Sequence, residues 1–291
     1  MGFPSRTINL YYLFTFIRGL RFFLPIWTLY LNSIGYDIFI ITLLDIIFFV
    51  TMAVAEIPTG TVADKISRKV SLLIGVLLYS IGIITFAFET NLWILAAGYI
   101  TWATGMTFWS GADQAFLYDS LKYHSQEEEF QRIFGQTIFL ESIAMAFASI
   151  IGGLIGSFDL QMPFVLTVVM CIASGAIMLF IPEEIPIDGI SKEAYSAHIL
   201  NAIGLVKNNR VLVLIFAFSL IFAIMGIIEF VFRQLYLQEE LNISIFIIGL
   251  LYAMTILLGG LGAKSSSYFN KVLGDKLFLW IQVGIVGLSF F

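Results

Sequence analysis

The chain has 291 residues, of which 59% are apolar and 12% are charged, and its formal net charge is −5. Soluble domains have about 45–50% apolar and about 25% charged residues, and a water-soluble protein needs charged residues to cover its core. The composition therefore excludes a soluble enzyme, a nucleic-acid-binding protein and a disordered chain, and it indicates a polytopic membrane protein. The single cysteine, Cys171, excludes an intrachain disulfide and a metal site built from several thiolates.

Eight apolar runs are long enough to cross the hydrocarbon core, which takes about 20 helical residues. They lie near residues 8–31, 38–59, 70–89, 92–117, 134–157, 161–181, 211–236 and 245–263. A ninth run begins near Leu277 and reaches Phe291 after fifteen residues, so we expect an incomplete last span. The first six residues lack the layout of a signal peptide, so span one is expected to remain in the mature protein.

Positive charge is distributed unevenly over the segments between the spans. Counted alternately from the N-terminus, the segments on one side hold twelve Lys and Arg residues, and the short loops on the other side hold none. The positive-inside rule therefore predicts a cytoplasmic N-terminus in the inner or plasma membrane of a cell. His124 and His198 lie in the predicted cytoplasmic segments without a partner at ligand spacing, so we expect no metal site.

The longest polar stretch divides the chain. Residues 182–210 contain Pro182, Pro186, Gly189 and charges of both signs, which predicts a cytoplasmic linker. It separates an N-terminal six-helix bundle, 1–181, from a partial C-terminal bundle, 211–291, that holds spans seven, eight and part of nine. The charged linker residues are expected to form a solvated face: Glu183, Glu184, Lys192 and Glu193.

Two short strings recur in the same order. Leu29-Tyr30-Leu31 recurs at 235–237, and the string FIITLL at 39–44 recurs as FIIGLL at 246–251. The offsets are 206 and 207 residues, and both strings occupy equivalent places at the ends of spans. A six-span unit followed by a second copy in the same orientation is the parallel-repeat layout of a secondary transporter.

The segment between spans two and three carries a recognisable pattern. Residues 60–69 read GTVADKISRK, which resembles the signature loop of the major facilitator superfamily, roughly G-x-x-x-D-(R/K)-x-G-(R/K)-(R/K). The residues that match are Gly60, Asp64, Lys65, Arg68 and Lys69, whereas Ser67 replaces a glycine. The strings at 56–59, 110–113 and 118–121 resemble a bacterial branch of drug exporters. The resemblance implies an all-α membrane fold of six plus six helices, here with about nine spans, the last one incomplete.

The resemblance also implies a gating role for this loop. In the family the aspartate, here Asp64, contacts a helix of the second half, and the arginine, here Arg68, pairs with an acid at the inner end of span four. Asp119 is the local candidate for that acid. From the residue types alone, we expect Gly60 to allow close backbone approach and Asp64 to cap a helix. The alternative is that the loop only anchors the topology.

Charged residues inside the predicted spans are costly, about 2.5–3.5 kcal/mol each at the bilayer centre on insertion scales, and so each one indicates a role. Arg18 and Arg21 lie three apart in span one and hence on one helix face. Spans two, four and five carry Asp45, Asp113 and Glu141. Since these spans line the cavity in the family, the resemblance implies two arginines that face three acids around a path for substrate or protons.

Span four carries a further pattern. Trp102, Trp109 and Asp113 fall within about 60° of one another on a helix, and a carboxylate below two indoles is suited to a lipophilic cation. Two alternatives stay open: Trp109 as an interfacial residue, and Asp113 as a partner of Arg18 or Arg21. Glu229 and Arg233 of span seven are expected to pair near the outer surface.

These patterns together predict a secondary transporter that works by alternating access, with proton-coupled export of a small amphipathic compound or drug. Uptake of a small polar or anionic solute bound by Arg18 and Arg21 is one alternative, and a non-transporting fragment is another. Thr101 stands where drug/proton exporters often carry an arginine, which weighs against proton antiport. We find no catalytic motif, so no enzyme and no cofactor is expected; the expected partners are the bilayer, a small molecule and protons, without nucleic acid, around a monomer.

Overall fold

The computed structural model describes residues 5–183, 213 and 232–261. These ranges are almost entirely helical, and no strand occurs within them, which agrees with the predicted all-α fold. The helices are α1 (Ser5–Arg18), α2 (Trp27–Ser33), α3 (Ile38–Lys65), α4 (Arg68–Phe88), α5 (Leu92–Tyr123), α6 (Phe130–Gly156), α7 (Met162–Leu179) and α8 (Ile245–Leu261). A short 3-10 helix, Glu127–Glu129, precedes α6, and a π-helical segment, Tyr236–Glu240, precedes α8.

Four helical segments of the described chain are both long and apolar enough to cross a membrane. They are Ile38–Asp64, Arg68–Phe88, Glu127–Gly156 and Met162–Leu179, while α8 is apolar but shorter. They correspond to the predicted spans two, three, five and six. The predicted span four lies in α5, which has 32 residues and is longer than any of them, but more polar side chains interrupt its apolar sequence.

The chain runs between the two ends of the bundle six times over residues 5–181. We call the end that holds residues 60–69 the motif end, and the other the opposite end. The first pass starts at the motif end with α1 and finishes with α2, and α3 to α7 supply the remaining five passes. Many side chains on the outside of this bundle are apolar and exposed, for example Val54, Leu77, Phe147 and Ile172, as suits a surface in contact with lipid.

The predicted span one, 8–31, is not one continuous helix. α1 ends at Arg18 and α2 begins at Trp27, and residues 19–26 between them form turns. Two residues of this segment explain the break: Gly19 is a weak helix former, and Pro25 lacks an N–H and disfavours the helical conformation of Leu24 before it. Arg18 and Arg21 therefore do not share a helix face, because Arg21 lies in the break.

The repeat predicted from the sequence coincides with helix boundaries. α3 begins at Ile38 and α8 begins 207 residues later at Ile245, which is the offset of the recurring string. The linker beyond Glu183, most of span seven, Glu229 and the ninth apolar run lie outside the described residues. The predicted division of the chain into two bundles and a linker stays a prediction.

Candidate functional site

The break in the first pass is the most irregular backbone inside the bundle, and its polar groups are bonded to neighbouring elements. The Phe22 N–H donates to Thr167 Oγ1 of α7 at 2.9 Å. On the other side α6 comes very close: a Cβ added at Gly152 would lie 1.9 Å from the Phe22 carbonyl oxygen. Non-helical backbone at membrane depth requires such internal partners, so α6 and α7 together stabilise the break.

Four charged side chains meet beside this break. Arg18 Nη2 lies 2.8 Å from Asp113 Oδ2 and 3.3 Å from Glu141 Oε2, and Arg21 Nη2 lies 2.7 Å from Glu141 Oε1. We call Arg18, Arg21, Asp113 and Glu141 the ion-pair cluster. It joins the first pass to α5 and α6, and its two positive charges balance its two negative ones. The sequence placed the four residues in three spans, and the break brings Arg21 to the same acid as Arg18.

Aromatic side chains enclose the ion-pair cluster. The Arg18 guanidinium lies over the Phe14 ring at 5.0 Å and over the Trp109 ring at 5.6 Å, distances at which cations attract ring faces. Tyr11 donates a 2.6 Å hydrogen bond to Asp113 Oδ1. Sequence reasoning missed Tyr11, although it lies seven residues, or two helical turns, before Arg18 and hence on the same face. The cation that lies over the Trp109 ring is thus the guanidinium group of Arg18, which belongs to the protein itself.

The two guanidinium groups keep unused donors. Arg18 Nε and Nη1 and Arg21 Nε are buried without a hydrogen-bond partner in the described part of the chain, and the Arg18 side chain is only 5% exposed. Buried donors are nearly always paired with an acceptor. The ion-pair cluster therefore has hydrogen-bonding capacity for a further acceptor group.

Trp102 and Asp45 lie apart from these ion pairs. Trp102 packs in a cluster of aromatic rings, with ring-centroid distances of 4.5 Å to Phe48 and 5.6 Å to Phe23. Asp45, on α3, is buried, and no salt bridge joins it to any described residue. Of the predicted path residues, four thus form the ion-pair cluster, and Trp109 packs against it. Asp45 forms no salt bridge within the described residues, and Trp102 belongs to the aromatic cluster.

The motif end carries a second set of charges. Arg68 pairs with Asp64 on the preceding helix, and Arg68 Nε lies 3.6 Å from Asp119 Oδ2. Asp119 lies two residues beyond the predicted span four. Burial raises the pKa of its carboxyl group, and the nearby Arg68 guanidinium partly offsets this rise by lowering the pKa. The structure therefore brings together the arginine and the acid that the family resemblance pairs.

Two expectations about this loop need correction. Gly60 lies inside α3 with no atom within 4 Å of an added Cβ, so it does not serve a close approach. Ser67, not Asp64, caps the next helix, by accepting from the Val70 N–H at 3.0 Å. The departure from the family glycine at 67 thus supplies a helix cap. Lys65 ends α3, and the placement of its side chain is not described.

Glu183 is also not a solvated linker residue. Its carboxylate accepts hydrogen bonds from Ser67 Oγ and, at 3.2 Å, from the Lys69 N–H. Lys69 Nζ in turn donates to the carbonyl oxygens of Leu179 and Ile181, at 2.9 and 2.6 Å, at the end of α7. An acid at a helix N-terminus and a cation at a helix C-terminus both complement the helix dipoles. The start of the predicted linker is therefore hydrogen-bonded to the motif loop.

At the opposite end, Gln234 bonds to the first pass. Its Oε1 accepts from the Thr28 N–H and its Nε2 donates to the Leu24 carbonyl, both at 3.0 Å. A third 3.0 Å bond joins Nε2 to the Tyr252 hydroxyl of α8. Gln234 lies 206 residues after Thr28, so the two occupy equivalent repeat positions. No sequence signal distinguishes Gln234, because an isolated amide before a hydrophobic string is common.

The segment 232–261 also packs against α6. Gly153 of α6 and Gly249 of α8 lie against each other. A Cβ added at Gly153 would lie 2.8 Å from the Gly249 Cα, and a Cβ added at Gly249 would lie 2.9 Å from the Gly153 Cα. Small residues allow helices in membranes to approach this closely. Arg233 lies with its guanidinium 4.4 Å from the Tyr252 ring centroid, while its predicted partner Glu229 lies outside the described residues.

The helical fold agrees with the comparison against known families. Residues 10–291 match the family described as the Major Facilitator Superfamily, which covers most of the chain. The chain belongs to the major facilitator superfamily. Membership in this transporter superfamily, together with the apolar helices, makes the chain a multi-pass membrane protein, and it places the chain in a transporter family and not in an enzyme family.

One relative in the superfamily is the uncharacterized MFS-type transporter YxaM of Bacillus subtilis (strain 168). It is 28% identical over 170 residues, which are 56% of this chain and 40% of the relative. The matched part thus spans less than half of the relative's length. Both comparisons point to a membrane transporter.

Proposed function

We propose that the protein is a secondary active transporter that works by alternating access and exports a small amphipathic compound in exchange for protons. The observation that carries this proposal is the buried ion-pair cluster at the break of the first pass. Charges inside a membrane bundle are expensive and mark substrate or ion pathways. Discontinuous helices with their ends at such a site are typical of secondary transporters.

The cluster offers a chemical route to coupling. A proton on Asp113 or Glu141 removes one negative charge, which leaves the two arginines in excess and weakens the link between the first pass and α5 or α6. Removal of one partner from a buried pair is strongly unfavourable, so protonation favours a rearranged bundle. An amphipathic cation competes for the same carboxylates, with Phe14 and Trp109 as apolar contacts.

The charged residues at the motif end are proposed to act as the gate on the cytoplasmic side. Gly60, Asp64, Lys65, Arg68 and Lys69 belong to the motif segment 60–69, and Asp119 is the partner of this segment on α5. The contact between Arg68 and Asp119 supports this role, since it connects the loop to the helix that carries Asp113. The proposal includes a cytoplasmic N-terminus in the inner or plasma membrane and a monomer as the working unit.

The test is transport into or out of proteoliposomes across an imposed pH gradient, with a fluorescent lipophilic cation as the substrate. Asp113→Asn keeps the shape of the side chain but cannot carry a negative charge, so we expect pH-driven transport to be abolished with normal expression. Asp159→Asn, in the exposed loop between α6 and α7, is the matched control and should transport normally. Unchanged transport by Asp113→Asn would remove this residue from coupling.

A second candidate is uptake of a small anionic solute. The unused donors of Arg18 and Arg21 favour it, because a carboxylate or phosphate would satisfy them with charge-assisted hydrogen bonds. Uptake of a carboxylate-bearing tracer without a pH gradient, lost in Arg18→Gln, would establish this function. A cation exported only under a pH gradient would exclude it.

A further inference from the structure

Asp45 differs from the two acids of the ion-pair cluster. Its side chain lies on α3 and the residue is only 3% exposed. Among the described residues its Oδ2 atom has no hydrogen-bond partner, whereas Asp113 and Glu141 are both paired with arginine. Within the described part of the chain, no basic side chain lies within 4.0 Å of the Asp45 carboxyl group.

The surroundings of Asp45 are aromatic. Phe48 lies one helical turn further along α3, and its ring centroid is 4.5 Å from that of Trp102 on α5. Tyr99 lies one turn before Trp102, with 5.7 Å between the two ring centroids, and its hydroxyl faces Asp45. This hydroxyl is also buried without a well-formed hydrogen bond. α3 packs against α2, α4 and α5. Among the described residues of these helices, Tyr99 is the one ionisable side chain that interacts with the Asp45 carboxyl group.

This enclosure favours the neutral form of the carboxyl group. An ionised carboxylate without a partner in an apolar site costs several kcal/mol even after relaxation, whereas a protonated carboxyl is an uncharged donor and acceptor. The protonated form can share a hydrogen bond with the Tyr99 hydroxyl, which would satisfy both unpartnered groups. The site is almost fully closed, so a proton is the ligand that its size admits.

We propose that Asp45 is a second proton-binding site, separate from the ion-pair cluster, which holds a proton between the packed helices α3 and α5. Its use in transport rests on the function proposed above. The two sites differ in mechanism: protonation of Asp113 or Glu141 disrupts an ion pair, whereas protonation of Asp45 removes a lone buried charge and favours the packed arrangement.

Infrared difference spectroscopy of the purified full chain in lipid tests this assignment without any transport. A protonated carboxyl group has a carbonyl stretching band that a carboxylate lacks. We expect such a band at neutral pH in the unaltered chain, its loss in Asp45→Asn, and its retention in Asp113→Asn. The matched pair of variants removes one acid each from the same bundle.

The assignment is overturned if the unaltered chain shows no protonated carboxyl band at neutral pH, or if the band survives in Asp45→Asn. Should Asp45→Asn not fold, Tyr99→Phe replaces it, because this variant keeps the ring and removes only the hydroxyl. We expect Tyr99→Phe to shift the frequency of the band, and a band that does not move would contradict the proposal.

The spectroscopic result separates this inference from the proposed function. A band that belongs to Asp45, in a protein that does not respond to a pH gradient, would leave the proton site in place and overturn proton-coupled transport. Transport driven by a pH gradient, without the band, would overturn the Asp45 site alone.

Discussion

Glu141 accepts from both arginines of the ion-pair cluster, so it is the residue on which the local charge balance depends. Replacement by Gln leaves Arg21 buried without its acid. The loss of one partner from a buried pair costs about 3–5 kcal/mol, and we expect Glu141→Gln to lower the free energy of unfolding by an amount of this order. Thermal unfolding in detergent measures the change.

The matched control for this variant is Glu129→Gln. Glu129 also pairs with an arginine, Arg132, but the two side chains are 46% and 65% exposed. Exposed pairs contribute about 0–1 kcal/mol, so the control should unfold near the unaltered chain. Equal effects of the two substitutions would contradict a structural contribution of the buried cluster.

Ser67 provides a second test at a single residue. It caps α4 and donates to Glu183, and the loss of a serine cap costs about 1 kcal/mol. Ser67→Ala should therefore lower the midpoint of thermal unfolding measurably. Ser33→Ala is the control, because among the described residues the Ser33 hydroxyl bonds only to the Tyr30 carbonyl three residues earlier. A larger effect at Ser33 would contradict the capping role.

Candidate site residues could be predicted from the sequence where they are charged and lie in an apolar run. A charged side chain within an apolar run stands out, so Arg18, Arg21, Asp45, Asp113 and Glu141 could be selected from the sequence. Their partners could not be assigned, because pairing depends on where each helix turns. Tyr11 carries no charge and is one of twelve tyrosines, so no signal distinguished it before its contact with Asp113 was known.

At the scale of elements, the close contact between α6 and the break is the feature most open to test. Gly152→Ala places a methyl group against the Phe22 carbonyl oxygen, where a Cβ would lie at 1.9 Å. Backbone must move to accept it, and overpacking costs about 1–3 kcal/mol. We expect a lower free energy of unfolding, measured in the same detergent assay.

Gly135→Ala is the control on the same helix. Nothing lies within 4 Å of a Cβ at Gly135, and Ala is the better helix former by about 1 kcal/mol. This variant should be as stable as the unaltered chain or more so. A stable Gly152→Ala protein would show that α6 does not hold the break in place.

The sequence predicted the helices of the second, third, fifth and sixth passes closely, since each is a long apolar run bounded by polar residues. The first pass was predicted as one helix because mean hydropathy takes no account of backbone geometry. Gly19 and Pro25 were the available signal for its interruption. The motif loop was found from its residues, but its geometry differed, because α3 continues through Gly60 to Lys65.

At the scale of the whole molecule, the internal repeat is visible as contact between equivalent positions. Thr28 bonds to Gln234, 206 residues later, and Asn32 bonds to Glu239, 207 residues later. Leu29 and Leu235 also share one apolar cluster with Ile248 and Tyr252. The described parts of the two repeat copies thus contact each other at the opposite end. Alternating access requires these contacts to separate.

The most direct test of alternating access is the distance across this contact. Because Cys171 is the single cysteine, a Cys171→Ser chain that carries Ser33→Cys and Glu240→Cys accepts spin labels at these two positions only. Pulsed electron-spin distance measurements in lipid nanodiscs at acidic and alkaline pH then report the separation. Alternating access predicts a short and a long distance whose proportions change with pH. One unchanging distance under both conditions would contradict alternating access at this end.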